Sequence, residues 1–139
     1  MRLISVVVAS MIILCAAVAH ASATTITFAG RYEYRTDAES LEVLGEQVCF
    51  FPSKASSVNV PRPPGDSRLP WFCFTDSRQA AHLLGFALNV PSKECGFKGE
   101  AKVTVSNYKR YAGEGDGNDV AILVDVLEKL KPRSLPCGK

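Results

Sequence analysis

The sequence predicts a mainly β fold with one helix, in the element order β-β-β-α-β-β. Three observations support this fold class. Several segments alternate apolar and polar residues with a period of two, which is typical of half-buried strands. One segment between them carries apolar residues at helical spacing. Glycine-rich and proline-rich stretches separate the segments, as expected for turns and loops.

Three strands are predicted in the first half of the chain. Residues 25–34 alternate, with aromatic and β-branched residues on one face, and Gly30 within that strand predicts a bulge or a sharp bend. Two shorter and more apolar strands are predicted at 47–51 and 71–74. The polar residues 36–45 are expected to form a connection.

A long loop and a helix complete this half. Residues 52–70 hold five of the eight prolines, and because proline fixes φ and lacks a backbone donor, we expect an exposed and stiff loop. Thr75 or Asp76 can cap the helix, with Gln79 in the capping-box position relative to Asp76. The helix carries one apolar stripe, formed by Ala80, Leu83, Leu84 and Ala87.

Two more strands are predicted in the second half. Residues 100–108 alternate again, and a glycine-rich turn follows at 113–119. The apolar run at 120–130 fits a strand or a helix, and we favour a strand because β-branched residues dominate it and a turn precedes it. From Lys129 onward the chain is predicted to be a polar tail that carries Cys137.

The element order resembles that of the oligonucleotide/oligosaccharide-binding (OB) fold. The helix stands between the third and fourth strands, and Gly30 stands in the middle of the first. Over about residues 25–128 this resemblance implies a small five-stranded barrel with loops beside its binding face. The alternatives are a cystatin-like or ferredoxin-like α+β sheet and an immunoglobulin-like sandwich, although a sandwich would need about seven strands and no helix.

Residues 1–23 are predicted to be a secretory signal peptide. Arg2 precedes an apolar run, and small residues then allow cleavage after Ala21 or Ala23. A transmembrane anchor is the alternative, but the apolar run is short for a span. The remaining residues, 24–139, are enough for one domain and too few for two. We expect a secreted or periplasmic chain with no membrane span after the signal is removed.

Four cysteines follow the predicted signal. An even number in an exported chain predicts two disulfides and an oxidising compartment. Their wide spacing does not match the closely paired ligands of a metal site, so no metal is predicted. If the second and third strands pair antiparallel, Cys49 can face Cys73, which leaves Cys95 with Cys137. The alternative joins Cys73 to Cys95 and Cys49 to Cys137.

No residue combination predicts an enzyme or a cofactor. Gly65-Asp66-Ser67 is similar to the start of a serine-hydrolase motif, but the candidate base, His82, sits on the predicted helix, so we interpret Ser67 as part of a polar turn. The acidic turn at 114–119 lacks the spacing of a calcium loop and is interpreted as a hairpin loop. No pair of carboxylates stands out for glycoside hydrolysis.

Aromatic and basic residues remain as binding candidates, because Trp, Tyr and Arg are the types that anchor interfaces. Two arginines lie on the stiff loop, and residues 107–111 are expected to be exposed at the end of the fourth strand. For Trp71 a core position is favoured over a binding role, and it is kept among the candidates as the chain's single tryptophan. The candidate binding residues are Arg62, Arg68, Trp71, Tyr108, Lys109, Arg110 and Tyr111.

These observations predict a small exported binding protein that is not an enzyme. The favoured partner is another exported protein, as for an inhibitor or an immunity protein, and the alternative is a carbohydrate- or small-ligand-binding barrel. A hydrolase with dispersed acidic residues is the third hypothesis. The chain has 16 basic and 14 acidic residues, and loss of Arg2 leaves 15 basic residues. This near balance argues against a nucleic-acid partner.

Overall fold

The structure is a computed structural model that describes residues 23–115 and 117–137, so most of the predicted signal peptide lies outside the described residues. Within them the chain forms six strands and three short helices. Their bounds are β1 Thr25–Arg35, α1 Ala38–Leu44, β2 Cys49–Pro52, α2 Lys54–Ser57, β3 Phe72–Phe74, α3 Ser77–Leu84, β4 Glu94–Lys109, β5 Asp119–Lys129 and β6 Arg133–Pro136.

The strands form one six-stranded mixed sheet in the order β1-β2-β3-β5-β4-β6. An additional pairing between β1 and β4 closes five of these strands into a ring. β3 and β5 run parallel, whereas the other paired strands are antiparallel. β4 pairs with β1 along one edge and with β5 and then β6 along the other. The long strand β4 therefore holds the sheet together.

The mainly β fold class is confirmed, and the ambiguous run at 120–130 lies in strand β5 up to Lys129. The expectation of one helix is wrong, because α1 lies in the segment predicted to be a connection and α2 lies near the start of the loop predicted at 52–70. Asp37 begins α1 by accepting a hydrogen bond from the Ser40 backbone N–H. Since α1 buries no residue, it lacks the apolar stripe that would have revealed it.

The prediction of a polar tail is also wrong in part, since this segment contains β6 with the buried side chain of Leu135. β6 pairs with the first residues of β4, which begins at Glu94 rather than at residue 100. A four-residue strand with one buried side chain has too short an alternation to be recognised. Trp71 lies just before β3 and not within it.

Both disulfides follow the first of the two predicted pairings. Cys49 and Cys73 are directly opposed on β2 and β3, and both are fully buried. Cys95 on β4 is bonded to Cys137, just after β6. Two disulfides indicate an oxidising compartment. In the described part of the chain, no helix is both long enough and apolar enough to span a membrane.

Aromatic side chains dominate the core. Phe28, Phe50, Phe72 and Phe74 are fully buried, and their rings contact one another with centroids 5.3–6.2 Å apart. α3 packs part of its predicted stripe into this core, and Ala80, Ala81 and Leu84 are buried. Ala87 lies outside the helix, because Gly85 adopts a left-handed conformation with φ of 92° and ends α3.

Gly30 allows strands β1 and β2 to approach each other closely. β1 passes through Gly30 without a register shift toward β2 or β4, so the predicted bulge is not present there. A Cβ atom at this position would lie 2.3 Å from the carbonyl oxygen of Phe51. The absence of a side chain therefore lets β1 and β2 lie close together.

Replacing Gly30 by alanine is expected to lower the free energy of unfolding by about 1–3 kcal/mol, because the two backbones must move apart. Urea denaturation followed by tryptophan fluorescence measures this change. Ala29→Ser, at an exposed neighbour on β1, is the control and should change stability by less than about 0.5 kcal/mol. An unchanged unfolding midpoint for Gly30→Ala would contradict the importance of the close approach.

Candidate functional site

The proline loop, residues 61–70, and the β4–β5 connection, residues 110–118, meet around the carboxylate of Asp119. This residue begins β5 and pairs with Phe72, which begins β3. Its side chain is fully buried. A buried carboxylate requires charged partners and hydrogen bonds, and both are supplied here. We call the interacting group the Asp119 cluster, which consists of Arg62, Asp66, Arg68, Tyr108, Arg110 and Asp119.

Both carboxylate oxygens of Asp119 are occupied. The Tyr108 hydroxyl donates to Oδ2 over 2.7 Å, and Arg62 Nη2 donates to the same oxygen over 3.2 Å. The Tyr111 backbone N–H donates to Oδ1 over 2.8 Å. Arg68 Nη1 lies 3.6 Å from Oδ1. Asp119 thus joins the proline loop to the end of β4 and to the β4–β5 connection.

Arg62 holds the proline loop closed. Its guanidinium donates to the backbone carbonyls of Arg68 and Leu69, the second over 2.7 Å. The side chain is only 11% exposed. Because Arg62 bonds to carbonyls six and seven residues further along the chain, it fixes the loop in one shape.

A second carboxylate, Asp66, joins two further arginines to the cluster. Arg68 binds it in a bidentate manner, with Nε 3.0 Å from Oδ1 and Nη2 2.8 Å from Oδ2. Arg110 Nη1 lies 3.9 Å from Oδ2. The hydrogen bonds from Arg68 hold the pKa of Asp66 well below its usual range. Asp66 therefore stays ionised and keeps Arg68 oriented.

A cavity of about 240 Å³ lies against this cluster. Its rim carries two exposed apolar side chains, Val43 with 61% and Leu69 with 75% of its surface exposed. Trp71 also lines the cavity, and its ring stacks on Phe51 with centroids 5.9 Å apart. The remaining lining residues are Arg62, Arg68, Gly115, Gly117, Asn118 and Asp119. The cavity thus combines apolar and positively charged walls.

The structure brings together most of the predicted binding residues. Arg62, Arg68 and Trp71 line the cavity. Tyr108 and Tyr111 contact Asp119, and Tyr108 is half-buried rather than exposed as expected. Arg62 is largely buried and restrains the loop through its hydrogen bonds, so it is not a free surface arginine.

The other two predicted residues, Lys109 and Arg110, are exposed as expected at the end of β4. Arg110 reaches the Asp119 cluster through Asp66. Lys109 is paired with Val120 in the β4–β5 register and belongs to neither the cavity nor the ion-pair cluster.

Besides the three lining residues at 115–118, four residues of this site are not among the predicted ones. Val43 lies on α1, which was interpreted as a connection, and Leu69 was passed over as part of the proline loop. Asp66 and Asp119 were interpreted as turn residues. One sequence feature could have indicated an ion pair, namely the separation of four residues between Arg62 and Asp66. In the structure Arg62 Nη1 lies 3.7 Å from Asp66 Oδ1. Asp119 gives no comparable signal, because its charged partner Arg62 lies 57 residues away in sequence.

The residues considered for serine hydrolysis and for metal binding lie as follows. Ser67 and His82 are both exposed and lie on different elements, in the proline loop and on α3. Among residues 23–115 and 117–137, no group of three or more His, Cys, Asp or Glu side chains is placed to hold a metal ion. Asp116 of the acidic turn lies outside the described residues.

A larger groove of about 760 Å³ runs across β1, β4 and the end of β5. Its charged lining residues alternate in sign, and Lys102 and Glu128 form an exposed ion pair at 3.7 Å. None of the predicted binding residues lines it. We therefore place the candidate site at the cavity beside the Asp119 cluster.

Comparisons of the chain with protein-family models, with curated proteins and with solved structures find no match.

Replacing Asp119 by asparagine is expected to lower the free energy of unfolding by about 3–5 kcal/mol, because it removes the fully buried counter-charge of Arg62 and leaves Asp66 as the one carboxylate of the cluster for three arginines. Asp125→Asn is a matched control on the same strand, at an exposed position, and should cost less than about 0.5 kcal/mol. Urea denaturation of both variants measures the difference. Equal stabilities would mean that the cluster contributes nothing to holding the loop.

Stability is expected to decline at both ends of the pH range. Burial, followed by the hydrogen bond and the charge of Asp119, raises the pKa of Tyr108. The stabilisation from Tyr108 is therefore complete below about pH 10 and is lost as the pH rises through the raised value. The lowered pKa of Asp66 acts in the opposite sense, so its stabilisation is complete above about pH 4 and is lost as the pH falls.

Thermal unfolding midpoints measured against pH test this expectation. Tyr108→Phe should weaken the alkaline decline and leave the acid decline unchanged. Part of the alkaline decline should remain, because burial raises the pKa of Tyr32 to about 12. An identical alkaline limb in wild type and variant would contradict the role given to Tyr108.

Proposed function

We propose that this chain is a small exported protein without enzymatic activity, and that it binds another exported protein. The observation that carries the proposal is the pair of exposed apolar side chains, Val43 and Leu69, beside Trp71 on the rim of the cavity. Exposed apolar groups beside arginine and tryptophan are typical of residues that anchor protein interfaces. An inhibitor or an immunity protein is the favoured form of such a binder.

The shape of the loop supports protein binding. The proline loop is restrained by its prolines, by Arg62 and by the pairing of Asp66 with Arg68. A loop that is ordered before binding loses little entropy when it meets its partner. Inhibitors that act through a stiff exposed loop depend on this property.

Export is part of the proposal. The apolar leader and the two disulfides support secretion or a periplasmic location. We also infer that the five-stranded ring is the core of an OB-like barrel, because α3 lies between β3 and β4 and β1 closes the ring onto β4. An experimental structure in which these strands enclose no common core would contradict this inference.

A pull-down from the native exported fraction tests the function. The bait is the mature chain, recovered from that fraction so that its first residue can be read, with Ser22 or Thr24 expected. The wild type should capture one protein in near-stoichiometric amount, and Leu69→Asp should lose it. Val58→Asp is the matched control, because Val58 is 81% exposed and lies outside the cavity.

An eluate without any stoichiometric protein, over a range of salt concentrations, would contradict the proposal. The carbohydrate hypothesis would then take its place, and the single tryptophan provides its measurement. A change in Trp71 fluorescence on titration with glycans would favour a carbohydrate-binding protein, since Trp71 lines the cavity.

A further inference from the structure

We infer that the cavity beside the Asp119 cluster receives one apolar side chain of the partner, and that carboxylates flanking this side chain pair with the arginines. This inference rests on the proposed function and specifies the chemistry of the partner. Three features of the described residues support it, namely the size of the cavity, its apolar rim and the charge balance of the cluster.

The size of the cavity favours a single side chain over a free small molecule. Sites for small molecules commonly have volumes of about 300–1,000 Å³. The volume here is about 240 Å³, and the cavity opens between Val43 on α1 and Leu69 on the proline loop. An apolar group entering it would contact both side chains and the ring of Trp71. Its insertion would remove exposed apolar surface on both partners from water.

The charges of the cluster favour an acidic partner. Three guanidinium groups, of Arg62, Arg68 and Arg110, meet two carboxylates, so the ion-paired groups carry one excess positive charge. Asp119 is fully buried and has four partners, and the nearby guanidinium groups of Arg62 and Arg68 offset its negative charge. Arg68 and Arg110 keep 37% and 43% of their side-chain surface exposed.

Neither acidic residue of α1, Glu39 or Glu42, lines the candidate cavity. Glu39 lines a different cavity, which shares Val43 with the candidate cavity and also contains Glu33, Arg35 and Asp37. The charged side chains that line the candidate cavity itself are those of Arg62, Arg68 and Asp119. Two of these three charged side chains carry guanidinium groups, which favours a partner with carboxylates, and charge complementarity of this kind raises both the rate and the specificity of association.

A displayed library of random peptides, selected on the immobilised mature chain, tests the inference. Enriched peptides should place an aromatic or large aliphatic residue next to Asp or Glu. The affinity of one synthetic enriched peptide is then measured by Trp71 fluorescence. Leu69→Asp and Val43→Asp should each weaken it about tenfold or more, as expected for anchor contacts.

The charge contribution is tested by Arg110→Glu, which should weaken the same peptide about fivefold. Lys102→Glu is a matched control, because its side chain is 45% exposed and makes one ion pair on another face of the sheet. Val58→Asp is the corresponding apolar control. Both controls should stay within about twofold of the wild type, as surface changes away from a contact do.

Three outcomes would overturn the inference. These are a selection without enrichment, enriched peptides that lack acidic residues, and equal losses for Arg110→Glu and Lys102→Glu. If the pull-down still yields a partner whose capture survives Leu69→Asp, the proposed function stands and the docking surface lies elsewhere. If the pull-down is empty as well, both fail.

Discussion

The site depends on one buried ion pair, between Arg62 and Asp119. A buried charge is costly unless it is fully paired, and the removal of one partner exposes that cost. Here the pair is completed by the Tyr108 hydroxyl and the Tyr111 backbone N–H. Because Asp119 begins β5 at the point where β5 lies parallel to β3, the pair anchors the loop directly to the sheet.

The sheet can support this anchor because its strands are closely connected. β4 contributes to three pairings, and the β1–β4 pairing aligns all eleven residues of β1. The Cys49–Cys73 disulfide joins β2 to β3 inside the core, at the strand that leads out of the proline loop. The end of the proline loop thus enters a rigid strand, while Arg62 restrains its beginning.

The physical logic of the proposed binding site follows from this rigidity. The cluster pairs both of its carboxylates inside the protein and leaves Arg68 and Arg110 partly exposed at its edge. The exposed apolar residues Val43 and Leu69 come from two different segments and line the same cavity. A surface of this kind is already ordered before binding, which suits the proposed role of binding another protein.

Sequence reasoning succeeded where the signal was local. The alternation of β1, the capping box at Asp76 and the β-branched composition of β5 each depend on neighbouring residues. It failed at α1, since Ser40 and Asp37 provide a cap but no buried stripe follows, and at β6, whose four residues are held by β4 and a disulfide. The arginines and aromatics of the site were identified by residue type, but their arrangement was not.

By itself, the sequence determined the mainly β class, the two-disulfide framework and most strand positions, because these follow from short-range periodicity and composition. Only the tertiary structure decided that Arg62 restrains the proline loop and that Asp119 is buried. It also decided that Val43 and Leu69 line the same cavity. The physical reason is distance along the chain. Arg62 and Asp119 are 57 residues apart in sequence, and the pairing of β3 with β5 brings the segments that carry them together.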